Sequence, residues 1–351
     1  MKKRGIILML TGMLALGTLV GCGNKNDEGT ATSGEPQKIK IGATIYKYDD
    51  SFMSYVRRAI EKQTEGKAEL IMNDSQNDQA KQLEQIDTMI AKGVNVLAIN
   101  LVNPKAAPSV IEKAKKEDIP VIFFNKEPEK SAMDSYDKCW YVGTESKESG
   151  VLQGKLMADD WQKNKEKWDK NKDGKLQYVL IKGEPGHPDA EARTKHSIEE
   201  VKNAGIEVEE LAIDTGMWDA GKATEKMDAW ISKYGDNIEM VVCNNDGMAL
   251  GALASLEKAG YLKDDSKYVP IYGVDAIPEV LDKIKEGKIA GTVLNDAKNQ
   301  GKALVELSVN VASGKDLLEN TEWKLDDKKA VRVPYVGINK ENITVGEDAY
   351  K

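Results

Sequence analysis

The sequence predicts an α/β protein of two lobes, each a doubly wound parallel sheet covered by helices on both faces. Three observations carry this. Segments of strand character alternate with segments of helical periodicity along nearly the whole chain, the order that builds parallel sheets through right-handed crossovers. Some strand segments, VNVLAINL at 94–101 and PVIFF at 120–124, are near-continuous apolar runs, as strands buried on both faces require. About 310 residues lie beyond the N-terminal segments, more than one hydrophobic core usually organises.

Along the chain, residues 38–46 (KIKIGATIY) alternate and are β-branched, 54–63 read as a helix, and 68–72 form a short strand. A helix at 79–92 carries Leu83, Ile86, Met89 and Ile90 at helical spacing. Between the strands at 94–101 and 120–124, a helix at 104–117 opens with Pro104 in its first turn, where the missing N–H is no loss. Beyond Thr144 come a helix at 148–162, a strand at 176–182 and a helix at 188–203. Further strands at 207–213, 238–243, 269–274 and 289–294 are separated by helices, and no internal repeat is present.

The N-terminal segments set the compartment. Lys2, Lys3 and Arg4 precede an apolar run, Ile6 to Val20, too short to span a bilayer comfortably. Leu19-Val20-Gly21-Cys22 matches the bacterial lipobox, so residues 1–21 read as a signal peptide and Cys22 as the lipid attachment point. Residues 22–37, rich in Gly, Ser, Thr and charge, read as a flexible tether. The expectation is an extracytoplasmic protein, lipid-anchored to the cell membrane.

With Lys+Arg 50 against Asp+Glu 58 and no basic block, nucleic acid and anionic lipid surfaces are poor partners. After Cys22 only Cys139 and Cys243 remain, which leaves one disulfide and two buried thiols both open. No CxxC or Cys/His cluster points to zinc or redox chemistry.

In open α/β sheets ligands bind at the carboxyl ends of the strands. The strand ends here carry Tyr48-Asp49-Asp50, Asn73-Asp74, Asn125, Gly183-Glu184-Pro185-Gly186-His187, Asn244-Asn245-Asp246, Asp275 and Asn295-Asp296. At any single position Asn or Asp is explained by turns and helix N-caps. As a set they line a cleft with planar amides and carboxylates, which suits a polyhydroxylated ligand, because each hydroxyl buried unpaired costs about 1–3 kcal/mol.

A second constellation, Asp169-Lys170-Asn171-Lys172-Asp173-Gly174-Lys175-Leu176-Gln177, has the spacing of the front of an EF-hand loop. Asp169, Asn171 and Asp173 fall at positions 1, 3 and 5, the Lys175 carbonyl at 7 and Gln177 at 9. Position 12 is Leu180, not the bidentate Glu, so spacing alone supplies half a calcium motif.

The stretches IYKYDDSFMSYVRRAIE, NDSQNDQ, VIFFNKEP, KGEPGHPDAEARTKH, MWDAGKATEKMDAW, CNNDGMALGA, YGVDAIPE, AGTVLNDAKNQ and VRVPYVGI closely resemble the bacterial D-galactose/D-glucose-binding proteins. These are the substrate-binding components of ABC sugar importers, and the resemblance runs from about Ile39 to Ile338. It implies the type I periplasmic-binding fold, with chain crossings near Thr144, Asn295 and Val333-Pro334. The N-terminal lobe is then 38–144 plus 296–331, and the C-terminal lobe 145–295 plus 332–351.

Carried over by residue, the resemblance places a sugar site on Asp50, Phe52, Asn125, His187, Asp189, Arg193, Trp218, Asn245, Asp275 and Asn295. Phe52 and Trp218 would sandwich the pyranose ring, whose C–H faces suit aromatic surfaces. Asp189 and Arg193, four apart on one helical face, would meet the anomeric end. His187 would donate to the primary hydroxyl, and Asp50 would accept from the 4-hydroxyl in either configuration. Ser51 departs from the Asn expected in relatives, a change of size beside Asp50. The resemblance also supplies the missing calcium carboxylate, at Glu239, and makes that ion structural.

The expected partners are galactose or glucose, an ABC permease, the membrane through lipid on Cys22, and a chemoreceptor in some members. No GxSxG, Walker or GxGxxG signature is present, and the expectation is a binding protein. The alternative is a surface glycosidase using the same acidic cleft, since Asp49, Asp50 and Asp275 offer carboxylates.

Overall fold

The computed structural model describes residues 38–263 and 265–351. The segments expected to be signal peptide, lipobox with Cys22 and tether fall outside the described residues.

The first stretch runs β1 (Lys40–Ile45), α1 (Ser51–Thr64), β2 (Glu69–Asp74), α2 (Gln79–Ala91), β3 (Val96–Ile99), α3 (Ala107–Lys116), β4 (Val121–Phe124), α4 (Lys130–Met133) and β5 (Cys139–Gly143). The second runs α5 (Ser146–Trp168), β6 (Leu176–Lys182), α6 (Pro188–Asn203), β7 (Val208–Thr215), α7 (Ala220–Tyr234), β8 (Met240–Cys243), α8 (Asp246–Lys258), β9 (Ile271–Tyr272), α9 (Pro278–Lys285) and β10 (Thr292–Leu294). The chain then passes through α10 (Ala297–Ala312), β11 (Ala330–Arg332), β12 (Val336–Ile338) and α11 (Ile343–Asp348).

These strands form a six-stranded sheet of order β11-β5-β4-β3-β1-β2, with every pairing parallel, and a second sheet of order β7-β6-β8-β9, also parallel. Parallel bridges Tyr272↔Gly291 and Asp275↔Leu294 attach β10 beside β9, and β12 pairs antiparallel with β10. The chain therefore leaves the first sheet after β5, returns to it after β10 and leaves it again after β11.

Both sheets are sandwiched, which explains their apolar runs. Along β3 and β4, Ala98, Ile122 and Phe124 face α1 and α10 through Val56, Ile60 and Leu304. Their neighbours Leu97, Ile99, Val121 and Phe123 face α2 and α3 through Ile86, Met89, Val110 and Ile111. The second sheet repeats this, with Val179, Ile181 and Val241 toward α7 and α8, and Tyr178, Leu180 and Val242 toward α5 and α6. Side chains alternate across a pleated strand, so one strand feeds two cores.

In places the structure departs from the expected elements. The strand β5 has no counterpart among the segments expected before Thr144. The helix expected from 54 begins at Ser51, because Asp50 caps it and Phe52 and Met53 are already buried in its first turn. The strand expected at 269–274 narrows to β9, and the pairing of β12 with β10 departs from an all-parallel sheet. Cys139 and Cys243 are both buried, free thiols lying in different sheets. Burial pushes the Cys139 thiol up to about 12 and raises Cys243 as well.

Candidate functional site

One cavity is lined by all ten residues expected at the sugar site, together with Tyr46 and Met53. It lies at the carboxyl ends of both sheets. Asp50 and Phe52 follow β1, Asn125 follows β4, and His187, Asp189 and Arg193 lie on the loop after β6 and on α6. Trp218 follows β7, Asn245 follows β8, Asp275 follows β9 and Asn295 follows β10.

Three of these residues are also helix N-caps. Asp50 Oδ1 accepts from Met53 N at 2.8 Å, Asn245 Oδ1 accepts from Met248 N at 3.0 Å, and His187 Nδ1 accepts from Asp189 N at 3.1 Å. Capping and lining the cavity are thus one placement, since a helix that starts at a strand's end points its cap toward that end. The caps also fix what each side chain offers. With Nδ1 accepting, the His187 proton sits on Nε2, and burial drives the ring's pKa down to about 3, so the imidazole is a neutral donor. Asn245 and Asn125 both spend their oxygens on the protein, Asn125 Oδ1 accepting from Asn100 Nδ2 at 3.1 Å, and so present their amide nitrogens.

The acceptors are carboxylates. Asp50 Oδ2 receives the Tyr46 hydroxyl at 2.6 Å, which orients the carboxylate. Burial alone would raise Asp189, but Arg193 and a hydrogen bond from Ser146 outweigh it and hold the carboxyl below its usual range. Asp275, 2% exposed, is pushed well up by burial, although Arg193 Nη1 stands 4.0 Å away and Asn295 Nδ2 donates to it at 3.2 Å.

Arg193 ties these groups together. It is 3% exposed, and it donates to Asp189 Oδ2 at 3.2 Å, Asn244 O at 2.9 Å, Tyr335 Oη at 3.1 Å and Ser149 Oγ at 3.2 Å. Its neighbours raise its pKa despite burial, so the charge is permanent.

The apolar walls are Phe52 from α1 and Trp218 from the β7–α7 loop. The Trp218 ring meets His187 edge-on at 5.1 Å. It lies so close over the Gly183 backbone that a Cβ there would come within 2.2 Å of Cη2. Asn125 (φ 62°), Trp218 (φ 61°) and Asp275 (φ 128°) all hold positive φ, a strain of about 1–3 kcal/mol each that clusters where side chains must be aimed.

Not every strand-end residue joins the cavity. Asn73 and Asp74 end β2, where Asp74 accepts from Tyr48 N and Gln76 N, and Asn244 turns away to hold Gly183 N and Thr194. Sequence reasoning places Glu184 and Asp246 among the strand-end residues without giving them a role, and it misses Lys126. Lys126 directly follows Asn125, but nothing in its surroundings along the chain marks a buried lysine. Ser51 Oγ is buried beside Gly247 without a hydrogen-bond partner.

The half EF-hand loop forms a separate cradle between α5 and β6. Glu239, 1% exposed, accepts from Lys170 N at 2.7 Å and Gln177 N at 3.0 Å, so it stands against the loop from the strand side. Asp169 Oδ2 accepts from Gly174 N at 3.0 Å, and Asn171 Oδ1 from Asp173 N at 3.0 Å. Lys175 sends its side chain to Glu207 at 3.2 Å, leaving its carbonyl for the loop. Among the described residues no three His, Cys, Asp or Glu side chains form a metal cluster by themselves. The cradle instead mixes carboxylates with amides, and it contains two buried oxygens without partners, Asp169 Oδ1 and Gln177 Oε1. Leaving such atoms unpaired costs about 1–3 kcal/mol each. Hard oxygen donors of this kind fit calcium.

Residues 41–316 match the family model described as periplasmic binding protein domain. The chain is 51% identical to the D-galactose/methyl-galactoside binding periplasmic protein of Haemophilus influenzae, over 98% of each chain. It is 29% identical to a xylitol-binding protein of Mycolicibacterium smegmatis, covering 95% of this chain and 86% of that one. Among solved structures, an ABC transporter solute binding protein from Bacillus halodurans with bound myo-inositol superposes with a TM-score of 0.74. It is 29% identical, covering 89% of this chain and 98% of that chain.

Proposed function

The chain belongs to the periplasmic binding protein domain family, and on that premise we propose that it captures D-galactose or D-glucose in the cavity between its two sheets and delivers the sugar to an ABC permease. The observation that carries this is the single cavity on which all ten residues converge. Its donors (His187 Nε2, the amides of Asn125 and Asn245, and Arg193) share the cavity with the acceptors Asp50, Asp189 and Asp275. A monosaccharide whose every hydroxyl gives and takes a hydrogen bond suits this arrangement, and Phe52 and Trp218 suit its ring faces.

The chain is a binding protein and not an enzyme. Asp50 and Asp189 each hold a fixed protein partner, Tyr46 and Arg193, as suits orienting hydroxyls better than shuttling protons to a glycosidic oxygen. Residues from both sheets line the cavity, so a sugar in contact with both stabilises the closed arrangement, which the permease then reads. Anchoring through lipid on Cys22 completes the proposal and rests on the lipobox alone.

The cradle at Asp169, Asn171, Asp173, Lys175, Gln177 and Glu239 is proposed as a structural calcium site, supported by its two orphaned oxygens. The ion would supply charge compensation, while the residues themselves order the loop that launches β6.

Calorimetric titration with a panel of monosaccharides tests the main reading. Saturable heat with galactose or glucose is expected. No heat with either overturns it.

A further inference from the structure

A second cavity, of about 260 Å³, opens one to two turns of α1 beyond Phe52. Its walls come from α1 and the start of α10 on the first sheet's side, and from the start of α9 and the C-terminal residues on the second's. Arg58, Lys62, Lys298 and Lys351 line it, and no Asp or Glu does. In a chain of formal net charge −8 that lining runs against the average. Lys351 is paired with Asp348 at 2.7 Å, so the unbalanced cations are Arg58, Lys62 and Lys298. Lys62 and Lys298 have no ion-pair partner among the described residues.

Of the acidic side chains around it, one is paired with a cation and two sit at helix N-termini, whose partial positive charge they offset. Glu279 accepts the Tyr55 hydroxyl at 2.9 and 3.1 Å, Asp348 pairs with Lys351 at 2.7 Å, and Asp296 caps α10 through Asn299 N at 2.9 Å. Tyr55 and Tyr350, edge to face at 5.0 Å, form an apolar wall.

We propose that this cavity binds a small organic anion, a soluble carboxylate or phosphate ester with an apolar body, and that occupancy favours the closed form. An anion touching both lobes binds closed protein better than open, and by linkage it tightens sugar binding by the factor that sugar tightens its own. The linkage half rests on the sugar-binding reading; the anion site does not.

Phenyl phosphate is the probe. Titrated into sugar-free protein it is expected to saturate, whereas neutral benzyl alcohol is not. The Lys62→Ala/Lys298→Ala double variant should lose phenyl phosphate binding while keeping the parent's sugar affinity. With phenyl phosphate saturating, sugar affinity in the parent should rise by about fivefold, with no change in the double variant. No saturable binding, or binding that the double variant retains, overturns the site. Binding that leaves sugar affinity unmoved overturns the linkage, and effective competition by phosphatidylglycerol vesicles overturns the assignment to a solute. Because anion binding is read without sugar, failure of every hexose to bind remains a separate result.

Discussion

Lys126 Nζ and Glu184 Oε2 meet at 3.2 Å across the two sheets, one from the loop after β4 and the other from the loop after β6. Lys126 is 1% exposed, donates also to Val102 O at 2.9 Å, and stands 4.0 Å over the Tyr46 ring. Tyr46 in turn holds Asp50. Closure of the cleft and orientation of its central carboxylate therefore share one ion pair.

Separating that pair should weaken sugar binding without unfolding the protein. Glu184 is 24% exposed on its side chain and regains water when Lys126 is lost, so the effect is expected near ~1 kcal/mol, about fivefold in Kd. Lys126→Met should show that loss in calorimetry and Glu184→Gln, which leaves a buried ammonium without its carboxylate, as much or more, and X-ray scattering should show a larger open fraction at subsaturating sugar in both. Unchanged affinity in both variants would remove the pair from the closing mechanism.

Gly183 sets the position of Trp218. Adding one methyl group forces the indole away from the backbone, so Gly183→Ala should lower sugar affinity about tenfold or more while costing little stability, as loss of an aromatic contact worth roughly 1–2 kcal/mol would. Trp218→Ala should be as weak or weaker. If Gly183→Ala binds sugar like the parent, the close approach has no role in aiming the ring.

Two buried groups give opposite pH dependences. His187 titrates near 6.5 when unfolded but is depressed by burial to about 3, so the unfolded chain takes up a proton first and stability falls as pH drops from about 6.5 toward 3. Asp246, which accepts from Ile277 N and Thr292 Oγ1, is raised by burial to about 7. Its folded form keeps a proton that the unfolded chain releases above about 4, so its contribution falls as pH rises from about 4 to 7. Relative to the parent, His187→Gln should gain stability toward pH 4 and Asp246→Asn toward pH 7, by up to about 1.4 kcal/mol per pH unit. Urea unfolding at several pH values measures both. Variant and parent curves that run parallel contradict the assignment.

Chelation should lower the melting temperature, and metal analysis of the purified protein should find calcium near one per chain. A ligand present at a hundred times its Kd stabilises by about 2.7 kcal/mol, enough to read as several degrees. Asp169→Asn should reduce the shift on chelation. Melting unchanged in excess EDTA, with no metal found, would sink the site.

The architecture is legible in the sequence because the strands are buried on both faces and the helices keep their period. Strand ends rich in Asn and Asp are equally visible, but their fates diverge for reasons a sequence does not print. Asp74 and Asn244 bind backbone next to themselves or across a strand, whereas Asp50 and Asn245 cap helices aimed at the cavity. Lys126 is illegible because its burial depends on Glu184, 58 positions away. The strand β5 escapes notice because CWYVG is short and its apolar run is joined to a polar turn.

The double duty of the caps bears on how such a protein changes its diet. A substitution at Asp50, His187 or Asn245 that alters hydrogen bonding to the ligand also frays the helix it starts, at about 1 kcal/mol. Lineages exploring new ligands would therefore be filtered at those positions by folding before they are tested by nutrition. Ser51, Phe52 and Trp218 carry no cap, and variation tolerated there is where descendants of this chain can diverge in taste.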